Sequence, residues 1–176
     1  MTTVLPRLRL LNLSHCAWSA AGGLQLIKAL GECVSLEGLC LDSLQLNEKS
    51  MMCLAQALRN IVSIRSLNLT SFGTPELCAV AASLTHCPLI QDVGLGWNNC
   101  EDKVAVELVK VIPFCQKLTR IDLESNSVSG VGAEALVRAL KSCPALQLIR
   151  LWRNKVPPSE AHRLSLRDRR LNFSPT

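Results

Sequence analysis

One apolar line returns six times along this chain, with the same internal spacing each time. It runs Leu8-Leu11-Leu13-Cys16, Leu36-Leu39-Leu41-Leu44, Ile64-Leu67-Leu69-Phe72, Ile90-Val93-Leu95-Asn98, Leu118-Ile121-Leu123-Asn126 and Leu146-Ile149-Leu151-Asn154. The starts lie 28, 28, 26, 28 and 28 residues apart. Such a period means stacked units, each too thin to bury its apolar side alone and each covered by its neighbours. A chain of this kind offers a long surface and has no closed central core in which to bury a pocket.

The fifth unit shows how one layer is built. Leu118-Thr119-Arg120-Ile121-Asp122-Leu123 alternates apolar and polar residues, the pattern of a half-buried strand. Asn126 follows, with an amide able to bond the turning backbone of its own and adjacent units. Val128 points inward, and Gly132, Ala133, Leu136, Ala139 and Leu140 predict a helix at three- and four-residue spacing. Cys143-Pro144 ends it, since proline cannot continue a helix. Leu26/Leu30, Leu54/Leu58, Val80/Leu84 and Leu108/Ile112 match Leu136/Leu140 in the other units. The third unit is two residues short between Phe72 and Val80, which predicts a late or abbreviated helix. Trp18 holds the inward slot of Val128 and Val156 and reads as core.

The predicted fold is an α/β leucine-rich-repeat solenoid with parallel strands on one side and helices on the other. Helices are wider than strands, so the strands line the concave face and the helices the convex one. Residues 8–156 carry the repeats. Residues 1–7 match the tail of a preceding repeat, because Leu5-Pro6-Arg7-Leu8 parallels Cys143-Pro144-Ala145-Leu146. No capping element shields the first layer, which predicts that the chain is a piece of a longer one. Residues 157–176 read as a basic C-terminal cap. There Val156-Pro157-Pro158 interrupts the sixth repeat, Leu164 keeps its helix place, and Asp168 stands where a core leucine belongs.

Composition supports thin layers: 48% of residues are hydrophobic but only 3% aromatic. Of nine cysteines, Cys33, Cys87, Cys115 and Cys143 share one repeat position, filled by Ile61 in the second repeat. A slot that accepts Cys or Ile is a small apolar one, so these thiols read as free and buried, which suits a reducing compartment. No stretch reaches the roughly 18 apolar residues of a membrane span. The net charge of +5 is uneven. Residues 1–146 balance at 12 basic and 12 acidic side chains. Residues 147–176 hold Arg150, Arg153, Lys155, Arg163, Arg167, Arg169 and Arg170 against Glu160 and Asp168. The excess is either a solvated cap or a docking patch for an acidic partner. Nucleic acid is not the expected ligand, because no aromatic residues interleave with the arginines as stacking platforms.

Residues flanking the strand leucines form columns on the concave face. One is Asn12, Cys40, Asn68, Gly94, Asp122, Arg150; the next is Ser14, Asp42, Thr70, Gly96, Glu124, Trp152; the third is His15, Ser43, Ser71, Trp97, Ser125, Arg153. The first three repeats present mostly small neutral residues. The last three present Trp97, Arg120, Asp122, Glu124, Arg150, Trp152 and Arg153, the composition of an interaction hot spot. The competing expectation is that acids and arginines only pair between strands, Asp122 with Arg150, and that each Trp lies flat on the sheet.

Signals for chemistry are missing. There is no G-x-x-x-x-G-K-[ST] phosphate loop, and His15, His86 and His162 lack partners at zinc-like spacing. No cysteine or serine sits in a nucleophile elbow. The chain therefore reads as a non-enzyme without cofactor or metal, binding one or more protein partners.

The repeat length, with its strand, Asn or Cys and full helix, resembles the ribonuclease-inhibitor type of leucine-rich repeat. That type also forms the C-terminal sensor region of NOD-like receptors. Val93-Gly94-Leu95-Gly96-Trp97-Asn98, Ile121-Asp122-Leu123-Glu124-Ser125-Asn126, Leu148-Ile149-Arg150-Leu151-Trp152-Arg153-Asn154 and Arg170-Leu171-Asn172-Phe173 resemble the extreme C-terminus of the CARD-containing subfamily of those receptors. The similarity is best over 64–176. It implies a protein-interaction segment of an innate-immune receptor that shuttles between cytoplasm and nucleus. It further implies regulation of MHC class I gene expression and of NF-κB and interferon signalling. The ATP-binding module and death-fold domain would lie upstream. Two other readings stand beside it: a ribonuclease inhibitor, and a generic leucine-rich-repeat adaptor or tropomodulin-like cap. Charge opposes the inhibitor, since a binder of basic ribonucleases is expected to be acidic.

Overall fold

A computed structural model describes residues 5–17, 19–44, 46–72 and 77–175. Seven short strands form one all-parallel sheet in chain order. They are β1 (Leu10–Asn12), β2 (Gly38–Cys40), β3 (Ser66–Asn68), β4 (Asp92–Gly94), β5 (Arg120–Asp122), β6 (Leu148–Arg150) and β7 (Leu171–Asn172). Between them run α1 (Ala20–Leu30), α2 (Glu48–Leu58), α3 (Cys78–Ser83), α4 (Asp102–Val111), α5 (Gly130–Ala139) and α6 (Pro158–Arg167). Each strand pairs in phase, so Leu11, Leu39, Leu67, Val93, Ile121, Ile149 and Leu171 make one continuous inward row. This is the leucine-rich-repeat solenoid that the spacing predicts. Each helix packs on the next, and the core fills the space between sheet and helices.

The two-residue deletion in the third repeat falls outside the strands and leaves the register intact. Its helix absorbs the loss: α3 has 6 residues against 11 in α2. Val80 and Leu84 are nonetheless buried, as are Leu54, Leu58, Leu108, Ile112, Leu136 and Leu140. Leu26 is only half-buried, as are Leu8, Leu11 and Leu13, whose counterparts Leu36, Leu39 and Leu41 are fully enclosed. The first described layer has a neighbour on one side only. Trp18 lies outside the described residues.

At the other end the chain departs from the repeat. Pro157 and Pro158 do not break a helix. They start one, with Pro158 as the first residue of α6, where a missing N–H is harmless. Leu164 is buried, whereas Asp168 ends the helix and is turned to a polar task. Its carboxylate accepts the Arg170 backbone N–H at 3.1 Å and the Arg170 guanidinium at 2.6 Å. Arg170 in turn donates to the carbonyls of Leu140 and Leu146. The chain then returns to the sheet as β7, sooner than a full repeat would bring it, and Leu171 extends the inward row.

Two internal ladders hold the layers together. Asn98, Asn126 and Asn154 each bond both their own turn and the preceding repeat. The Oδ1 of Asn126 accepts from the N–H groups of Asn98 (3.1 Å) and Cys100 (2.8 Å). Its Nδ2 donates to the carbonyls of Leu95 (2.9 Å) and Leu123 (3.0 Å). Asn98 receives Phe72 N–H and Asn154 receives Val128 N–H in the same way. Leu44 and Phe72, which fill this slot in earlier repeats, are simply buried. The second ladder is the thiol column. Cys87, Cys115 and Cys143 are fully buried, and their Sγ–H groups point at the carbonyls of Leu58, Leu84 and Cys115 at 3.4–3.5 Å. Burial pushes the Cys87 and Cys100 thiols up to about 12 and Cys115 to about 11.

Asn126→Ala strands several buried backbone groups at once, so it should cost about 3 kcal/mol in urea unfolding. Asn12→Ala, on the exposed edge strand, should cost less than about 0.5 kcal/mol. The thiols give a pH signature. The folded state holds protons that the unfolded chain releases above its ordinary thiol value of 9.0. Stability from these groups is therefore complete below pH 9 and falls as pH rises, by up to about 1.4 kcal/mol per pH unit per thiol. Unfolding midpoints measured between pH 8 and 11 should show this decline, and it should shrink in Cys115→Ala.

Candidate protein-docking site on the concave sheet

The concave surface owes its form to a backbone device that side-chain patterns do not reveal. His15, Ser43, Ser71, Trp97, Ser125 and Arg153, the whole third column, have left-handed backbones with φ between 54° and 61°. This conformation costs a non-glycine residue roughly 1–2 kcal/mol. The return is a longer ladder. His15, Ser43, Ser71, Trp97 and Ser125 each donate their N–H to the next repeat, as Trp97 does to Glu124 O at 2.8 Å and Ser125 to Trp152 O at 2.9 Å. The first column carries a second device. Asn12, Asn68, Asp122 and Asn172 each accept the N–H two residues on through Oδ1, fixing the strand exit.

All seven residues of the predicted site fall on this face, within three adjacent repeats, and they sort into two groups. The first is an ionic network. Asp122 Oδ2 takes Arg120 at 3.2 Å and Arg150 at 2.9 Å. Arg150 spends its other arm on Glu124. Arg120 also lies 3.8 Å from Asp92, a carboxyl that burial pushes upward. The side chains of Arg150, Asp122 and Glu124 are only 20%, 16% and 13% exposed. The inter-strand pairing of Asp122 with Arg150 is thus present, and these charges brace the sheet.

The second group is Trp97, Trp152 and Arg153. The Arg153 guanidinium carbon lies 4.4 Å from the Trp152 ring centre and 5.6 Å from that of Trp97. Both separations are in cation–π range. The bridge spans the repeat between, whose Ser125 Oγ is enclosed with no hydrogen-bond partner among the described residues. Trp97 remains 50% exposed and Arg153 is exposed. A large aromatic and a long cation held in strained backbone, facing solvent, contribute little to folding; residues so placed are commonly retained for contact. Gly94, at the end of β4, and Gly96 precede Trp97 in its own repeat and place no side chain on this face.

The terminal arginines are largely spent. Arg163 and Arg167 both pair with Glu134, whose carboxyl the Arg167 hydrogen bond holds below its usual range. Arg170 is bound by Asp168, likewise held low by that bond. Among the described residues, only Arg153, Lys155 and Arg169 of the seven basic residues stay outside any ion pair. Open hollows of about 290 and 460 Å³ lie on the helical side, lined in part by Met52 and Ala79. Among the described residues no helix is long and apolar enough to cross a membrane, and no group of three His, Cys, Asp or Glu could hold a metal.

Similarity to known proteins agrees with the leucine-rich-repeat fold. Residues 114–137 match the family model for a leucine-rich repeat. The chain is 32% identical to human Protein NLRC5 over 168 residues, covering 95% of this chain and 9% of that protein. It is 30% identical to mouse Protein NLRC5 over 173 residues, covering 97% and 9%. It therefore spans less than a tenth of the length of these relatives. Among solved structures it resembles the leiomodin-1 actin-binding site 2, with a TM-score of 0.58 at 16% identity over 72% of this chain and 78% of that one, a likeness of fold.

Arg150 and Arg153 should separate in stability measurements. Arg150→Ala takes the cationic partner from Glu124 and leaves Asp122 with Arg120 alone, and should cost about 2 kcal/mol. Arg153→Ala should stay within about 0.5 kcal/mol of the parent. Chemical denaturation of the two variants checks this.

Proposed function

Taking the chain as an NLRC5-like leucine-rich-repeat segment of the NOD-like receptor class, we propose that it docks a protein partner on the concave face of its last three repeats, through Trp97, Trp152 and Arg153. The observation that carries the reading is the Trp97–Arg153–Trp152 cluster. Aromatic and guanidinium groups of this kind dominate interface energetics. Here Trp97 and Arg153 are exposed and Trp152 half-buried, the three preset by one another and mounted on the sheet. Arg120, Asp122, Glu124 and Arg150 form the frame that fixes them and supply polar contacts at the rim.

The segment carries no catalytic step, and its role is recognition. By its likeness to NLRC5, the recognition serves regulation of MHC class I gene expression and of NF-κB and interferon signalling, in a protein that moves between cytoplasm and nucleus. Nucleotide binding belongs to the upstream module of such a receptor. The residues 157–176, with α6, the Asp168–Arg170 pair and β7, serve as the cap that closes the stack.

Replacing Trp97 and Trp152 together by Ala should abolish partner capture by the receptor and activation of an MHC class I promoter reporter in cells. Circular dichroism and melting of the isolated chain should be unchanged. Val131→Ser, on the outer face of α5, should affect none of these. Unfolding of the double variant would make the indoles structural and sink the assignment.

A further inference from the structure

Resting on the docking surface proposed above, we infer that Arg153 is the receptor for one carboxylate of the partner, an Asp or Glu side chain with an apolar neighbour. The argument begins with what the guanidinium already does. Its carbon centre lies over the Trp152 and Trp97 rings, at 4.4 and 5.6 Å. Neither indole supplies an oxygen acceptor for its N–H groups. The guanidinium carries five donors, and among the described residues no hydrogen bond or ion pair takes one. The neighbouring arginines differ. Arg150 is held by Asp122 and Glu124, and Arg120 by Asp122 and Asp92. The sheet therefore presents one uncompensated positive charge at this point.

Geometry selects the ligand. A planar fork of N–H groups matches a planar carboxylate with two parallel bonds. A phosphorylated side chain carries nearly two charges and is recognised by clusters of arginine. Here the other two guanidiniums of the face are neutralised. Lys155 does not join Arg153 on the sheet: its backbone turns off to bridge Ser129 and to donate to Val128 O. The indoles add an apolar wall on either side, which suits a partner residue whose neighbour is aliphatic or aromatic. They also hold the guanidinium in place before binding, so little side-chain freedom is lost on contact. The left-handed backbone of Arg153 and Trp97 fixes where both side chains leave the sheet.

A library of random dodecapeptides displayed against the whole 176-residue chain tests this. Recovered peptides should share an Asp or Glu beside an apolar residue and should change the tryptophan fluorescence. Arg153→Gln should weaken them at least tenfold without moving the melting temperature, and Arg153→Lys should restore only part of the loss. Changing the peptide Glu to Gln should cost the parent chain as much as Arg153→Gln does, with no further loss when the two are combined. Peptides without an acidic residue, equal affinity for Arg153→Gln, failure to recover any peptide, or tighter binding of a phosphoserine version would each overturn the inference. Peptides that lose binding to the Trp97→Ala, Trp152→Ala double variant but not to Arg153→Gln would overturn the carboxylate alone and leave the docking surface standing. Peptides indifferent to both variants would remove the docking surface as well.

Discussion

Three carboxamides hold the regular half of this molecule in register. Asn98, Asn126 and Asn154 are placed where a strand turns away and its backbone loses partners. Each side chain returns those partners from two layers at once. A buried polar group left unsatisfied costs about as much as several good contacts contribute. The turn keeps one geometry in all six repeats, with the residue before this slot in the left-handed region whether Cys, Leu, Phe or Asn follows, and in the last three the asparagine satisfies its backbone. Position on the concave face follows from this constraint. Trp97 and Arg153 project where they do because this turn recurs in every repeat and is held in theirs by Asn98 and Asn154.

The same face shows how like charges can be given different work. Arg150 and Arg153 lie three residues apart on one strand exit. The first is folded into a lattice of carboxylates and contributes rigidity. The second leans on two indoles and keeps its hydrogen-bonding edge open to solvent. Net charge alone cannot distinguish them, nor can it show that Arg163 and Arg167 are paired with Glu134 and Glu160, and Arg170 with Asp168. The basic tail is in large part an internal brace.

Most of the architecture was legible in the sequence because an in-phase aliphatic row leaves few alternatives. The strands, the helices, the shortened third unit and the enclosed thiols all follow from spacing. What spacing could not show were features set by backbone conformation or by local polar pairing. The left-handed column contains Ser, Trp, His and Arg, none a glycine, so composition carried no signal. A closer clue was its fixed place before the Asn slot. Pro157-Pro158 reads as an interruption until its place at the first turn of a helix is seen. Asp168 reads as a lost core residue until Arg170 is found bridging it to the carbonyls of Leu140 and Leu146. Strand β7 went unread because it arrives early, out of phase with the count. That the seven candidate residues share one face was legible from their register. Their division into a frame and a contact cluster was not, because it depends on which carboxylate reaches which guanidinium.

The Trp97–Arg153 contact links the fourth repeat to the sixth, skipping the one between. A curved stack of this kind behaves as a spring, and its inner circumference shortens or lengthens as it flexes. A side-chain bridge across two layer spacings sits where that change accumulates. Whatever occupies the bridge therefore sets the local curvature as well as adding contacts.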